Sequence, residues 1–146
     1  MSQGEPIEIL MVEDNPADVR LAQEAFKLYK IKNKIHVAKN GVEALQFLNK
    51  EGAFAEMPSP DIILLDLNLP LKSGREVLEI IKEDSVLKRI PVVVLTTSEA
   101  EKDILHAYDH YANCYVSKPV DFDNFAEVIR KIEGFWFSVV KYPTRT

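Results

Sequence analysis

Four short apolar runs in this chain each end on side chains able to do polar chemistry. Residues 7–12 lead into Glu13-Asp14, Ile62-Ile63-Leu64-Leu65 into Asp66, Val92-Val93-Val94-Leu95 into Thr96, and residues 114–117 into Lys118-Pro119. If the runs are strands that share one edge, three carboxylates, a hydroxyl and an ammonium meet there. Carboxylates crowded into one cleft repel each other and call for a cation. Magnesium suits such a set, because it takes oxygen ligands, uses only a few carboxylates and keeps several waters. The open side of that ion would accept a phosphoryl group, and an Asp carboxylate is a nucleophile able to take it as an aspartyl phosphate. Lys118 and the metal would offset charge on the phosphoryl oxygens, and the Thr96 hydroxyl would donate to them. Singly, each residue has an ordinary reading: Glu-Asp before Asn-Pro as a helix start, Asp66 as a turn residue, Thr96 as strand filling, Lys118 as an exposed charge. What outweighs those readings is that separate strand ends supply the needed types in order.

The elements that must position these residues follow from periodicity. Apolar runs at 7–12, 35–38, 62–67, 92–96 and 114–117 read as five strands. Two of them are continuously apolar, the pattern of a strand covered on both faces of a parallel sheet. Helical spacing fills the gaps. Asn15-Pro16 gives a cap and a proline at the first helical position, followed by Val19, Ala22, Phe26 and Tyr29. A second helix starts near Gly41 with Val42, Leu45 and Leu48, and a third near Gly74 with Val77, Leu78 and Ile81. Ser98 and Glu101 have capping-box spacing ahead of Ile104, Leu105, Tyr108 and Tyr111. A last helix begins near Asp121 and uses Phe122, Phe125, Ile129 and Ile132. Strands alternating with helices predict right-handed crossovers and a (βα)5 α/β fold, a doubly wound parallel five-stranded sheet of flavodoxin-like order 2-1-3-4-5. In that order the first and third strands are neighbours, about 4.8 Å apart, and ligands bind beyond the strands' carboxyl ends. No linker or repeat divides the chain. The expectation is one domain over 1–146, with a core of about 7–132 and a C-terminal helical extension to about 141.

Composition narrows the function. An apolar fraction of 47% and a charged fraction of 28% are those of a water-soluble globular domain. The formal net charge of -5, with no basic block or basic amphipathic helix standing out, argues against nucleic acid as a partner. Cys114 is the only cysteine, so an intrachain disulfide is impossible and a structural zinc site is disfavoured, as suits a reducing cytoplasm. The polar start Ser2-Gln3-Gly4-Glu5-Pro6 is not a signal peptide, and no apolar stretch is long enough to span a membrane.

Met11-Val12-Glu13-Asp14-Asn15, Leu65-Asp66-Leu67-Asn68-Leu69-Pro70, Gly74, Val94-Leu95-Thr96-Thr97-Ser98 and Tyr115-Val116-Ser117-Lys118-Pro119 together resemble the response-regulator receiver domain of two-component signalling, from about Ile7 to Ile132. The resemblance implies Asp66 as phosphoacceptor, with metal held by Glu13, Asp14, Asp66 and the Asn68 backbone carbonyl. It implies Mg2+ as cofactor, Thr96 as the switch hydroxyl, Lys118 as the phosphate-binding cation and Tyr115 as the switch aromatic. A sensor histidine kinase is then the phosphoryl donor. Asp66 to Pro70, Ser73 to Glu76, Thr96-Thr97-Ser98 and the tail Gly134-Phe135-Trp136-Phe137 look like regulators that partner phytochrome-type kinases.

Other readings of the same residues fare worse. A haloacid-dehalogenase-like phosphotransferase also uses Asp, magnesium, Thr and Lys, but its nucleophile follows the first strand in an Asp-x-Asp pattern, whereas here Asn68 stands where the second Asp would be. A nucleotide- or flavin-binding module would need a Gly-rich phosphate loop where Glu13-Asp14 stands. A constitutive interaction module would not need the intact acidic set, and a phosphorelay intermediate is an alternative route for the same phosphoryl group. His36, His106 and His110 read as surface histidines, since none falls at a strand's carboxyl end, and Cys114 as a buried small hydrophobe. With only residues 135–146 beyond the expected domain, output is expected through contact with a downstream protein. Phe135, Trp136, Phe137, Val139 and Val140 continue the apolar pattern. Three successive aromatics cannot share one helix face, because neighbours are offset by about 100°. This predicts a homodimer through the C-terminal helix region, anchored on Trp136.

Overall fold

A computed structural model describes residues 6–28, 30, 32–67, 69, 74–96 and 114–117, together with 123, 127 and 130. The strands are β1 (Ile7–Val12), β2 (Asn33–Ala38), β3 (Ile62–Asp66), β4 (Val92–Thr96) and β5 (Cys114–Ser117). The described helices are α1 (Pro16–Leu28), α2 (Gly41–Leu48) and α3 (Gly74–Glu83). All strand pairs are parallel and the order is β2-β1-β3-β4-β5, as expected from the alternation of elements. The two later helices of the expected (βα)5 pattern lie outside the described residues, except that Asp123, Glu127 and Arg130 are helical and exposed.

Alternation along the strands divides the core into two layers. Ile7, Ile9 and Met11 of β1, Ile62 and Leu64 of β3, and Val93 and Leu95 of β4 pack with Ala22, Ala25 and Phe26 of α1. The intervening residues Leu10, Val12, Ile63, Leu65, Val92 and Val94 pack on the other face with α2 and α3. Every residue of β3 is buried, which is why its sequence is continuously apolar up to Asp66. Phe26 is fully enclosed and pins α1 to its face; truncating such a side chain to Ala costs about 3–5 kcal/mol.

Two expectations need correction. The buried face of α2 is Gly41, Ala44, Phe47 and Leu48, while Val42 is exposed and Leu45 only partly covered. The helix is fixed by its start: the Asn40 side chain accepts the Glu43 N–H at 2.8 Å, and the Glu43 carboxylate accepts the Lys39 N–H at 2.8 Å. Phe47 is buried against the sheet, its ring centroid 5.4 Å from that of His36 and 5.5 Å from that of Phe54. His36 is therefore not an ordinary surface histidine. It is partly covered on β2 and its Nε2 lies 2.8 Å from Glu8 Oε1. His106 and His110 lie outside the described residues.

β2 also begins earlier than the apolar run at 35–38, because Asn33 and Lys34 are in register with Ile7 and Glu8. A polar start suits an edge strand, where exposed Lys32 and Lys34 oppose pairing with another sheet. Between α3 and β4, the Asp84 carboxylate accepts the N–H groups of Val86 and Leu87 at 2.8 and 2.9 Å, which hold its carboxyl below the usual carboxylate range. Its contribution to stability is therefore present above that range and is lost as pH falls through the depressed value.

Candidate phosphoacceptor site

β1 and β3 bring the acids together through their register. Met11 is opposite Leu64 and Val12 opposite Leu65, so the next step along both strands puts Glu13 opposite Asp66. Both continue the row of side chains that faces α1, after Ile7, Ile9 and Met11 on one strand and Ile62 and Leu64 on the other. Asp14 follows at the start of the turn into α1. One carboxylate oxygen from each of Glu13, Asp14 and Asp66 lies within 4.8 Å of the other two.

Local structure fixes each acid. The Glu13 N–H donates to the Ala38 carbonyl at 2.9 Å, extending the β1–β2 ladder past the strand. The Glu13 carboxylate accepts the Asn15 N–H at 3.2 Å. Asn15 in turn caps α1, its Oδ1 taking the Ala17 N–H at 2.9 Å and its carbonyl the N–H groups of Asp18 and Val19. Asn15-Pro16 thus acts as the cap that the sequence indicates, and it also holds an acid of the cluster, which sequence spacing did not reveal. Asp66 is anchored from the far side: the Leu67 N–H donates to the Leu95 carbonyl at 2.8 Å, tying the peptide after Asp66 to the strand that ends on Thr96.

Glu13 and Asp66 are 1% and 2% exposed, whereas Asp14 is open to solvent. Two buried charges no more than 4.8 Å apart repel by roughly 3.5 kcal/mol or more at an effective dielectric of about 20. Burial makes that repulsion hard to screen. Hard oxygen donors, two enclosed and one at the mouth, match the preferences of Mg2+, with Asp14 on the solvent side where the ion would keep waters. Among the described residues this is the one group of three or more acidic, His or Cys side chains placed to hold an ion.

The remaining predicted residues are placed only in part. Thr96 ends β4 opposite Ser117, one step past Leu95, the register partner of Asp66. Tyr115 lies in β5 opposite Val94. The side chains of Thr96 and Tyr115, and all of Asn68 and Lys118, lie outside the described residues.

A family model for the response regulator receiver domain matches residues 9–130. The chain is 45% identical over 138 residues to Response regulator Rcp1 of Synechocystis sp., covering 94% of each chain. Among solved structures, the phosphorylated cyanobacterial phytochrome response regulator RcpA is 46% identical with a TM-score of 0.84, over 96% of this chain and 100% of the other. The Mn(2+)-bound form of Rcp1 is 45% identical with a TM-score of 0.83, over 94% of this chain and 99% of the other.

Proposed function

This chain belongs to the response regulator receiver family, and from that premise we propose that it is a phosphorylation-switched signalling protein whose phosphoacceptor is Asp66. The observation that carries the reading is the Glu13, Asp14 and Asp66 cluster, gathered within 4.8 Å at the carboxyl end of the sheet. Glu13, Asp14, Asp66 and the Asn68 carbonyl would hold one Mg2+. That ion, when bound, supplies charge neutralisation for the transferring phosphoryl oxygens. RcpA has been seen phosphorylated and Rcp1 with Mn2+, which supports both parts of the proposal.

The chemistry assigned to the chain's own residues is a group transfer. An Asp66 carboxylate oxygen attacks the phosphorus of a kinase phosphohistidine, a P–O bond forms as the P–N bond breaks, and the imidazole leaves with the bonding pair. Lys118 then balances the phosphoryl charge, Thr96 donates its hydroxyl to a phosphoryl oxygen, and Tyr115 carries the change to the surface. The donor is a sensor histidine kinase, of phytochrome type by likeness to RcpA, and the recipient of the signal is a further protein. The setting is the cytoplasm. Among the described residues no helix is long and apolar enough to cross a membrane. The switch promotes its own phosphorylation and slow dephosphorylation and turns over no separate substrate. Incubation with acetyl phosphate and Mg2+ should give a slower band on a phosphate-affinity gel, and a wild-type chain that never shifts would end the reading.

The domain is proposed to extend through a C-terminal helix whose apolar continuation, Phe135-Trp136-Phe137 with Val139 and Val140, forms a homodimer contact anchored on Trp136. Light scattering at tens of micromolar (a range that covers moderate affinities, about -6 to -7 kcal/mol) should give twice the mass of the monomer for the full chain. A truncation ending at Gly134 should give the monomer mass. Monomeric full-length protein, phosphorylated or not, rules the contact out.

A further inference from the structure

α3 begins in contact with the backbone of the phosphoacceptor. A methyl group built on Gly74 would collide with the Asp66 carbonyl oxygen and lie 2.5 Å from Leu67 Cα and 2.9 Å from the Asp66 carbonyl carbon. These are main-chain atoms, so nothing flexible can swing aside. The Gly74 N–H also donates to the Leu67 carbonyl at 3.2 Å, while the Leu67 N–H donates to the Leu95 carbonyl at 2.8 Å. The Asp66–Leu67 peptide is thus held between β4 on one side and the first residue of α3 on the other. Neither side can yield freely: β3 is buried throughout, and Val77, Leu78 and Ile81 seat α3 against the sheet with no exposure.

We propose that Gly74 is a positioning residue for phosphoryl transfer, aiming the Asp66 carboxylate by allowing α3 to close on the Asp66–Leu67 peptide. The proposal rests on Asp66 being the phosphoacceptor. The side chain of Asp66 leaves from the same α-carbon whose carbonyl Gly74 abuts, so a displaced peptide tilts the carboxylate relative to Glu13 and Asp14. The need for glycine here is close approach alone; Gly74 is an ordinary helical residue in its backbone angles, as distinct from Gly52, whose φ is 54°.

The test compares wild type, Gly74→Ala and Val77→Ala for Mg2+ affinity by calorimetry, for the initial rate of acetyl phosphate labelling, and for thermal midpoint. Val77 is buried one turn further along α3, so its truncation loosens the helix while leaving Gly74, the residue set against the Asp66–Leu67 peptide, as it is. Gly74→Ala should slow labelling by about 10- to 100-fold, the scale expected for a reacting group misplaced by a fraction of an ångström to 1 Å, and should weaken Mg2+ binding in parallel. Val77→Ala should lower the midpoint yet label at close to the wild-type rate. Sucrose, which favours the compact state, is added if Gly74→Ala is only partly folded. Wild-type rate and affinity in folded Gly74→Ala would overturn the proposal, as would equal losses in Val77→Ala. A Gly74→Ala protein that stays unfolded in sucrose would overturn it too, because the residue would then hold the fold and not aim the carboxylate. If wild type neither binds Mg2+ nor labels, the failure belongs to the assignment of Asp66 instead.

Discussion

Asp66→Asn protein should show no acetyl phosphate-dependent shift on a phosphate-affinity gel under conditions where wild type is extensively converted. An amide oxygen is a far poorer nucleophile than a carboxylate, and Asn adds no charge for a metal to organise. No other described acid can stand in at the same place. Glu13 is enclosed and its carboxylate is held by the Asn15 N–H, and Asp14 sits at the solvent mouth of the cluster. The substitution is nearly isosteric, so the buried end of β3 should keep its packing and the loss should be chemical. Stability gives an independent check. In EDTA, Asp66→Asn should be at least as stable as wild type, because it removes one of two buried like charges. Adding Mg2+ should then raise the melting temperature of wild type and leave Asp66→Asn nearly unmoved. A full gel shift in Asp66→Asn would show that the phosphoryl group goes elsewhere. Marked destabilisation of the metal-free variant would show that the carboxylate stabilises the fold.

Much of this arrangement is legible in the chain because burial on both faces leaves so plain a pattern. Ile62 to Leu65 and Val92 to Leu95 have no polar residue to obscure them, and the polar residue that ends each run marks the edge of the sheet where chemistry belongs. Asn15-Pro16 fixes the start of α1 as written, since the cap and the proline are local signals. What is obscured is whatever depends on contacts between distant elements. The face of α2 was legible only in part: Leu48 is buried as its spacing indicates, but Val42 is exposed, and Gly41, Ala44 and Phe47, the last beside His36, complete the stripe that meets the sheet. The end of α2 lacks the usual glycine signal: Lys50 takes the left-handed conformation, φ 57°, while its N–H and that of Glu51 satisfy the carbonyls of Phe47 and Gln46. Gly74 shows the same limit at the site. Its place at the start of a helix is visible in sequence, but how closely that helix start closes on the Asp66–Leu67 main chain at the end of β3 shows only in the folded βα unit.

Asp14→Ala should weaken Mg2+ binding by well over tenfold, about 1.4 kcal/mol or more, with the fold retained. Among the three clustered acids, Asp14 is the exposed one, so removing it neither opens a core cavity nor leaves a buried partner stranded. Glu13 lacks that advantage, being enclosed and tied to the start of α1. The loss in Asp14→Ala therefore reports on the ion and little else. The effect can be read twice. Titration calorimetry gives the dissociation constant directly, and thermal unfolding gives it through linkage. At a concentration of Mg2+ 100 times the wild-type dissociation constant, wild type gains about 2.7 kcal/mol, and a variant that binds ten times more weakly gains only about 1.4 kcal/mol. The two readings must agree if the ion binds the folded state at this cluster. In EDTA, Asp14→Ala should match or slightly exceed wild type in stability, because one negative charge has left a crowded set. Phosphorylation at saturating acetyl phosphate should then need higher Mg2+ to reach half its maximum rate, displaced by the same factor as the dissociation constant. Unchanged affinity in Asp14→Ala would place the ion away from Glu13 and Asp66, and would remove the reason for so many acids at the end of this sheet.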